Sequence, residues 1–145
     1  KYNFANERKS SFLKSLKLNK INFNPNYYAS VKLEEPENSF EVIKKMLTKN
    51  KKISAIICST EFSALSAIKA CNYLNYKIGK DISIITFDGA LVRDLSSPPI
   101  TAVSFPVKEL GKRAINILLD KNKNQTVNYL AKSEIIERGS VHIVS

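Results

Sequence analysis

The stretches ISAIICST (53–60) and ISIITFDG (82–89) each place a short apolar run immediately before a polar turn. Runs of this length are typical of strands in a parallel sheet that is covered on both faces. We therefore predict strands at residues 53–58 and 82–87. The segment between them has the apolar periodicity of a helix, and a helical crossover of this kind joins parallel strands.

The rest of the chain continues this alternation. Helical spacing of apolar residues predicts one helix after Pro36 and another over Val107–Leu119. Strands are predicted at residues 27–33 and 134–138, and PPITAV (98–103) reads as an extended segment. Alternating strands and helices indicate an α/β fold, here a parallel sheet with helices on both faces.

Two polar residues come one or two positions after the two apolar strands. In open α/β sheets, ligands bind beyond the carboxyl ends of the strands. Thr60 and Asp88 both fall there, so a polar ligand is one reading of their position. The alternative stays open: Thr60 can cap the next helix, and Asp88 with Gly89 can form an ordinary turn. Arg8 can likewise be an exposed helical arginine without a ligand.

The composition favours a globular domain with a solvated basic surface. The 145 residues suit one domain, and 43% of them are apolar. The net charge is +10, but only four of the 23 basic residues are arginine, and the other 19 are lysines spread along the chain. Nucleic-acid readout recruits arginine more often. We therefore do not expect this chain to bind nucleic acid directly.

The cysteine and histidine content predicts neither a metal site nor a cofactor. Cys58 and Cys71 lack metal-ligand spacing and are expected to be buried free thiols, which fits a reducing cytoplasm. His142 is the single histidine. No apolar run reaches the roughly 20 residues that span a bilayer. No catalytic residue is predicted, and we expect a protein that is not an enzyme.

Several motifs together resemble a known family. The resemblance is carried by two stretches, ISAIICSTEFSALSAIKACNYLNYKIGKDISIITFDG and, after it, SSPPITAVSFPVKELGKRAINILL. Together they resemble the effector-binding core of the lactose/galactose repressor (LacI/GalR) family of bacterial transcription regulators. DISIITFDG, PPITAV and ELGKRA occur in the family's order and spacing. The resemblance implies a periplasmic-binding-protein-like type I fold with a Rossmann-like subdomain.

The resemblance also implies a site for a small polar effector, such as a sugar, a sugar phosphate or a nucleobase. It places five residues in that site: Arg8, Glu34, Thr60, Glu61 and Asp88. A carboxylate accepts hydrogen bonds from hydroxyl groups, and an arginine donates several. This sequence departs from the family where Thr60 replaces an amide, and no aromatic residue near Glu34 is identified that could stack on a sugar.

The resemblance further implies that the chain is part of a longer regulator. Residues 1–145 would be a partial effector-binding domain, mostly the C-terminal subdomain, with residues 105–127 crossing to the N-terminal subdomain. A DNA-binding headpiece absent from this chain would contact the operator. The regulator is expected to be a cytoplasmic homodimer, with Leu65 and Leu95 as candidates for the dimer interface. Their burial inside one subunit is an equally open alternative.

Three functional classes remain at this stage. The first is the sensor of a transcription regulator, with a LacI-type or a GntR-type headpiece. The second is an exported solute-binding receptor of the same fold. The third is an α/β enzyme that uses Asp88 as a general base, for which the sequence offers no nucleophile–base pair and no phosphate-binding loop. PPITAV and ELGKRA resemble the repressors more than the solute receptors.

Overall fold

A computed structural model describes residues 3–32, 35–88, 95–120 and 128–142. Its helices and strands follow in this order: α1 Asn3–Leu18, a 3₁₀ turn Pro25–Tyr27, α2 Pro36–Lys49, β1 Ala55–Cys58, α3 Glu61–Tyr73, β2 Ser83–Phe87, β3 Thr101–Ser104, α4 Val107–Leu119 and β4 Glu134–Ile136. No helix in these ranges has the length and apolar character to cross a membrane.

The described strands form one sheet in the order β1-β2-β3-β4. β1 pairs with β2, and β2 with β3, in parallel, whereas β4 runs antiparallel to β3. The predicted parallel pairing of the two apolar runs is therefore confirmed, as is the α/β fold class. β4 is the outer strand next to β3, and it lies within the segment 134–138 that was predicted to be a strand.

The core lies between one face of the sheet and the pair α2 and α3. Three alanines of α3 are fully buried and let the helix approach the strands closely: Ala64, Ala67 and Ala70. Leu47 of α2 and Ile84 of β2 are also without solvent contact. Close packing of this kind supplies the main stabilising free energy of such a layer.

Both cysteines belong to this core and are free thiols, as predicted. Burial raises the pKa of Cys58 to about 12, with a further contribution from Cys71. Burial raises the pKa of Cys71 to about 11. Both side chains therefore remain protonated at neutral pH, and neither is a reactive thiolate.

The strand predicted at residues 27–33 is not formed over its described part. The Asn24 side chain accepts a hydrogen bond from the Asn26 N–H, and the Tyr28 N–H donates to the Pro25 carbonyl at 3.2 Å. These bonds close a 3₁₀ turn, and residues 28–32 continue without a strand. Local turn chemistry outweighed the strand propensity of the tyrosines.

The loop before β2 is held against the end of the chain by backbone contact. Gly79 has a φ of +79°, and a Cβ atom there would lie 2.1 Å from the Gly139 carbonyl oxygen. One residue later, the Ser140 hydroxyl donates to the Ile84 carbonyl at 2.6 Å and accepts from the Thr101 N–H at 2.8 Å. These bonds join the segment around Gly139 to β2 and β3.

Replacing Gly79 by alanine should destabilise the protein by at least about 2 kcal/mol, because the new Cβ meets backbone and the left-handed φ is strained. Denaturant unfolding of the variant measures this loss. Gly111→Ala is the matched control, since no described atom lies within 4 Å of its Cβ position. That helical substitution should stabilise by about 0.5–1 kcal/mol. Equal unfolding midpoints for the two variants would contradict the proposed backbone contact.

Candidate functional site

The candidate site lies at the edge of the sheet where β1 and β2 end. Cys58 of β1 is in register with Thr86 of β2. Thr60 and Asp88 each follow two residues later, so they lie at the same edge of the sheet. The prediction that they share an edge is confirmed. Their contact with a ligand stays a prediction.

Thr60 caps helix α3. Its Oγ1 atom accepts a hydrogen bond from the Ser63 N–H at 3.2 Å, and Ser63 Oγ accepts from the Thr60 N–H at 3.2 Å. This reciprocal capping box satisfies two N–H groups at the helix start. The capping role suggested by the sequence is therefore present, and the Thr60 hydroxyl is already engaged before any ligand arrives. Glu61 follows as the first residue of α3 and is half-buried.

Asp88 occupies a turn that few residue types tolerate. Its φ is +72°, and its N–H donates to the Val103 carbonyl at 2.9 Å. Aspartate and asparagine adopt this left-handed conformation more readily than other non-glycine residues. The side chain is exposed, and within the described residues we find no side-chain partner for its carboxylate. The left-handed φ explains why position 88 is an aspartate. Its carboxylate is exposed and remains available to a ligand.

Arg8 comes to the same edge from helix α1. Its guanidinium donates to the Ser59 carbonyl, next to Thr60. It also lies over the Phe87 ring, with Cζ 4.2 Å from the ring centroid. Arg8 is half-buried and contacts both the residue that follows β1 and the last residue of β2, so its side chain has specific partners. Its role in binding a ligand stays a prediction.

Two aromatic residues of this edge escaped the sequence analysis. Phe87 is the last residue of β2, and Phe105 follows β3 directly. Their rings lie nearly parallel, with centroids 6.4 Å apart and an interplanar angle of 14°. The signal was present in the sequence, because Phe87 is the last residue of the predicted strand 82–87 and Phe105 closely follows the extended segment 98–103.

Among the described residues, Leu65 and Leu95 have no contact at this edge. Glu34 lies outside the described residues. Leu65 is half-buried, packs against the core and helps to line a surface cleft with Val31 and Phe62. Leu95 is 69% exposed. The cleft includes neither Arg8 nor Asp88 among its lining residues.

The edge combines complementary hydrogen-bonding groups. Asp88 presents acceptors, and Arg8 has five N–H groups, of which Ser59 occupies one position. Such a pair suits a small ligand that carries both hydroxyl donors and acceptor oxygens. No group of three or more metal-ligating side chains occurs in the part of the chain that the structure describes.

Comparison with protein families and curated proteins gives a consistent result. The periplasmic binding protein-like domain family matches residues 2–141. The chain is 30% identical over 133 residues to the HTH-type transcriptional repressor PurR of Haemophilus influenzae, covering 90% of this chain and 39% of the repressor. It is 32% identical over 117 residues to the HTH-type transcriptional regulator RegA of Clostridium saccharobutylicum, covering 79% of this chain and 34% of the regulator. The chain thus spans well under half the length of these relatives.

Solved structures share the fold. A sugar-binding transcriptional regulator of the LacI family from Escherichia coli, complexed with phosphate, has a TM-score of 0.80 at 23% identity, covering 94% of this chain and 49% of that one. A LacI-family transcriptional regulator from Bifidobacterium animalis subsp. lactis has a TM-score of 0.66 at 27% identity, covering 76% of this chain and 41% of that one.

Proposed function

Because this chain belongs to the periplasmic binding protein-like domain family, in the form found in LacI-family transcriptional regulators, we propose that it senses a small polar effector for a DNA-binding regulator. The observation that carries the proposal is the meeting of Arg8, Thr60 and Asp88 at one edge of a parallel sheet. This edge is where α/β folds of this kind bind ligands.

The proposed effector is a sugar, a sugar phosphate or a nucleobase. Each of these presents several donors and acceptors within a small volume, which matches an exposed carboxylate and a guanidinium at the same edge of the sheet. Glu61, at the start of α3, and Glu34, next to Glu35, complete the proposed set. Thr60 would contribute less than Asp88, since its hydroxyl already caps α3.

The proposed domain arrangement places this chain in one half of a two-part sensor. Residues 1–145 would form mostly the C-terminal subdomain, and residues 105–127 would cross to the N-terminal subdomain. The apolar side chains of α4 support this: Val107 is 69% exposed and Leu118 is 64% exposed, and no α4 side chain is buried. An effector between the subdomains would favour one relative arrangement of them and so change operator affinity.

The proposed regulator is a cytoplasmic homodimer that binds operator DNA through a separate headpiece. Paired headpieces read two half-sites, which requires two copies of the sensor. Exposed Leu95 suits an interface between subunits. Leu65 is a weaker candidate because it already packs against its own core. A GntR-type headpiece would serve the same sensor equally well.

The second candidate function is an exported solute-binding receptor of the same fold. The relatives that share 30% or more of their residues with this chain over most of its length are named as transcriptional regulators, which favours the regulator. An enzyme is the least favoured class. The two thiols are buried and protonated, and the described residues hold no metal-binding group.

The first prediction from this proposal concerns effector binding by the full-length natural protein. A thermal-shift panel of glucose, cellobiose, glucose 6-phosphate, hypoxanthine and guanine should contain a compound that raises Tm, because ligands stabilise the state that binds them. Asp88→Asn should weaken the affinity for that compound by about 5- to 150-fold, as expected for one lost acceptor. Calorimetric titration measures both affinities.

Asparagine is the informative replacement because it tolerates the left-handed turn that alanine strains. Glu41→Gln on α2 is the matched control, a carboxylate-to-amide change that should leave the affinity unaltered. Equal affinity in wild type and Asp88→Asn would remove Asp88 from the site. A large fall in the Tm of Asp88→Asn without ligand would instead show that the carboxylate stabilises the fold.

The second prediction concerns DNA. Residues 1–145 alone should select no operator sequence, since their lysines are dispersed and only four arginines are present. The full-length protein should bind a specific operator. Gel-shift titration of both proteins at moderate salt compares them. Sequence-selective binding by residues 1–145 alone would contradict the proposal that a separate headpiece reads the operator.

A further inference from the structure

Three aromatic rings surround the Arg8 guanidinium at the edge of the sheet. We propose that Phe87 and Phe105 are positioning residues that fix this guanidinium in the orientation needed for ligand binding. The ligand-binding role of Arg8 rests on the function proposed above, whereas the positioning itself does not. Neither phenylalanine needs to touch the ligand to act in this way.

The distances support a platform beneath Arg8. Its Cζ atom lies 4.2 Å from the centroid of Phe87 and 5.8 Å from that of Phe105. Phe4, one helical turn earlier in α1, adds a third ring at 5.0 Å. A cation within about 6 Å of an aromatic centroid is attracted by the negative face of the ring.

The sheet holds the platform in place. Phe87 pairs in register with Val103 of β3, and Phe105 lies two residues further along the same strand direction. After Phe105 the chain turns sharply, since the Val107 N–H donates to the Phe105 carbonyl at 2.8 Å. Both rings are half-buried and nearly parallel, and both lie within about 6 Å of the Arg8 Cζ atom.

The Ser59 carbonyl fixes the remaining freedom of the side chain. The Phe87 ring contacts the guanidinium at its Cζ atom, and the hydrogen bond to Ser59 holds one of its nitrogen atoms. An arginine that is ordered in advance loses less conformational entropy when it binds a ligand. Lysine would lose the planar fork of donors, so Arg8→Lys is not a conservative change here.

Chemical modification of Arg8 tests the positioning without any effector. Phenylglyoxal attacks guanidinium groups, and peptide mass spectrometry reports the rate at each arginine of the full-length protein. Phe87→Leu should raise the rate at Arg8 by about 2- to 30-fold, the range that loss of a cation–π contact implies. Phe105→Leu should raise it less, because its ring is farther away.

Three comparisons separate positioning from general destabilisation. Arg138 donates to the carbonyl of Ile100, a core residue, so its modification rate should stay constant in Phe87→Leu. Phe23→Leu makes the same chemical change in a loop and should leave Arg8 unaltered. Phe87→Tyr keeps the aromatic face and should restore the slow rate of wild type. An unchanged Arg8 rate in Phe87→Leu, or equal increases at Arg8 and Arg138, would overturn the proposal.

The second readout is the affinity of each variant for the compound that stabilises wild type. That compound is selected from glucose, cellobiose, glucose 6-phosphate, hypoxanthine and guanine. A faster Arg8 modification together with weaker binding in Phe87→Leu supports both the positioning and the ligand role. Faster modification with unchanged affinity supports the positioning and removes Arg8 from the binding site. If none of the five compounds binds wild type, the modification rates still decide whether the rings position Arg8.

Discussion

The parallel pairing of β1, β2 and β3 is the constraint on which the candidate site depends. Strands that run in one direction end at one edge, so residues far apart in sequence meet there. Thr60 and Asp88 are brought together by this pairing, and Phe105 joins them from β3. Reversing any one of these strands would send its terminal residues to the opposite edge. The core between the sheet and helices α2 and α3 holds the strands in this register, and the site depends on that register.

Much of this arrangement could be predicted from the sequence because it follows from burial. The apolar character of the two runs predicted strands, and the helix between them predicted their parallel pairing. Within the described residues, however, β1 is not covered on both faces, because Ile57 is 55% exposed. The capping role of Thr60 was also visible, since threonine before an amphipathic segment satisfies free N–H groups. The antiparallel direction of β4 was not foreseen, because strand patterns carry no information about direction.

The details of the site depend on tertiary contacts that periodicity does not encode. Nothing in the spacing of Arg8 indicates that its guanidinium lies over Phe87 and bonds to Ser59, 51 residues away. The φ of +72° at Asp88 explains why an acidic residue ends this strand, and the sequence alone could not separate that reason from a ligand role. The turn uses only the backbone and leaves the carboxylate exposed, so it does not conflict with the proposed ligand role.

Hydrogen–deuterium exchange of the full-length protein, with and without the panel compound that stabilises it, tests most directly whether this edge binds the effector. We predict slower exchange at residues 59–61, at residues 87–88 and in the Arg8 turn of α1, because a ligand there restricts local opening. Protection confined to the cleft lined by Val31, Phe62 and Leu65, with no change at the strand ends, would contradict it.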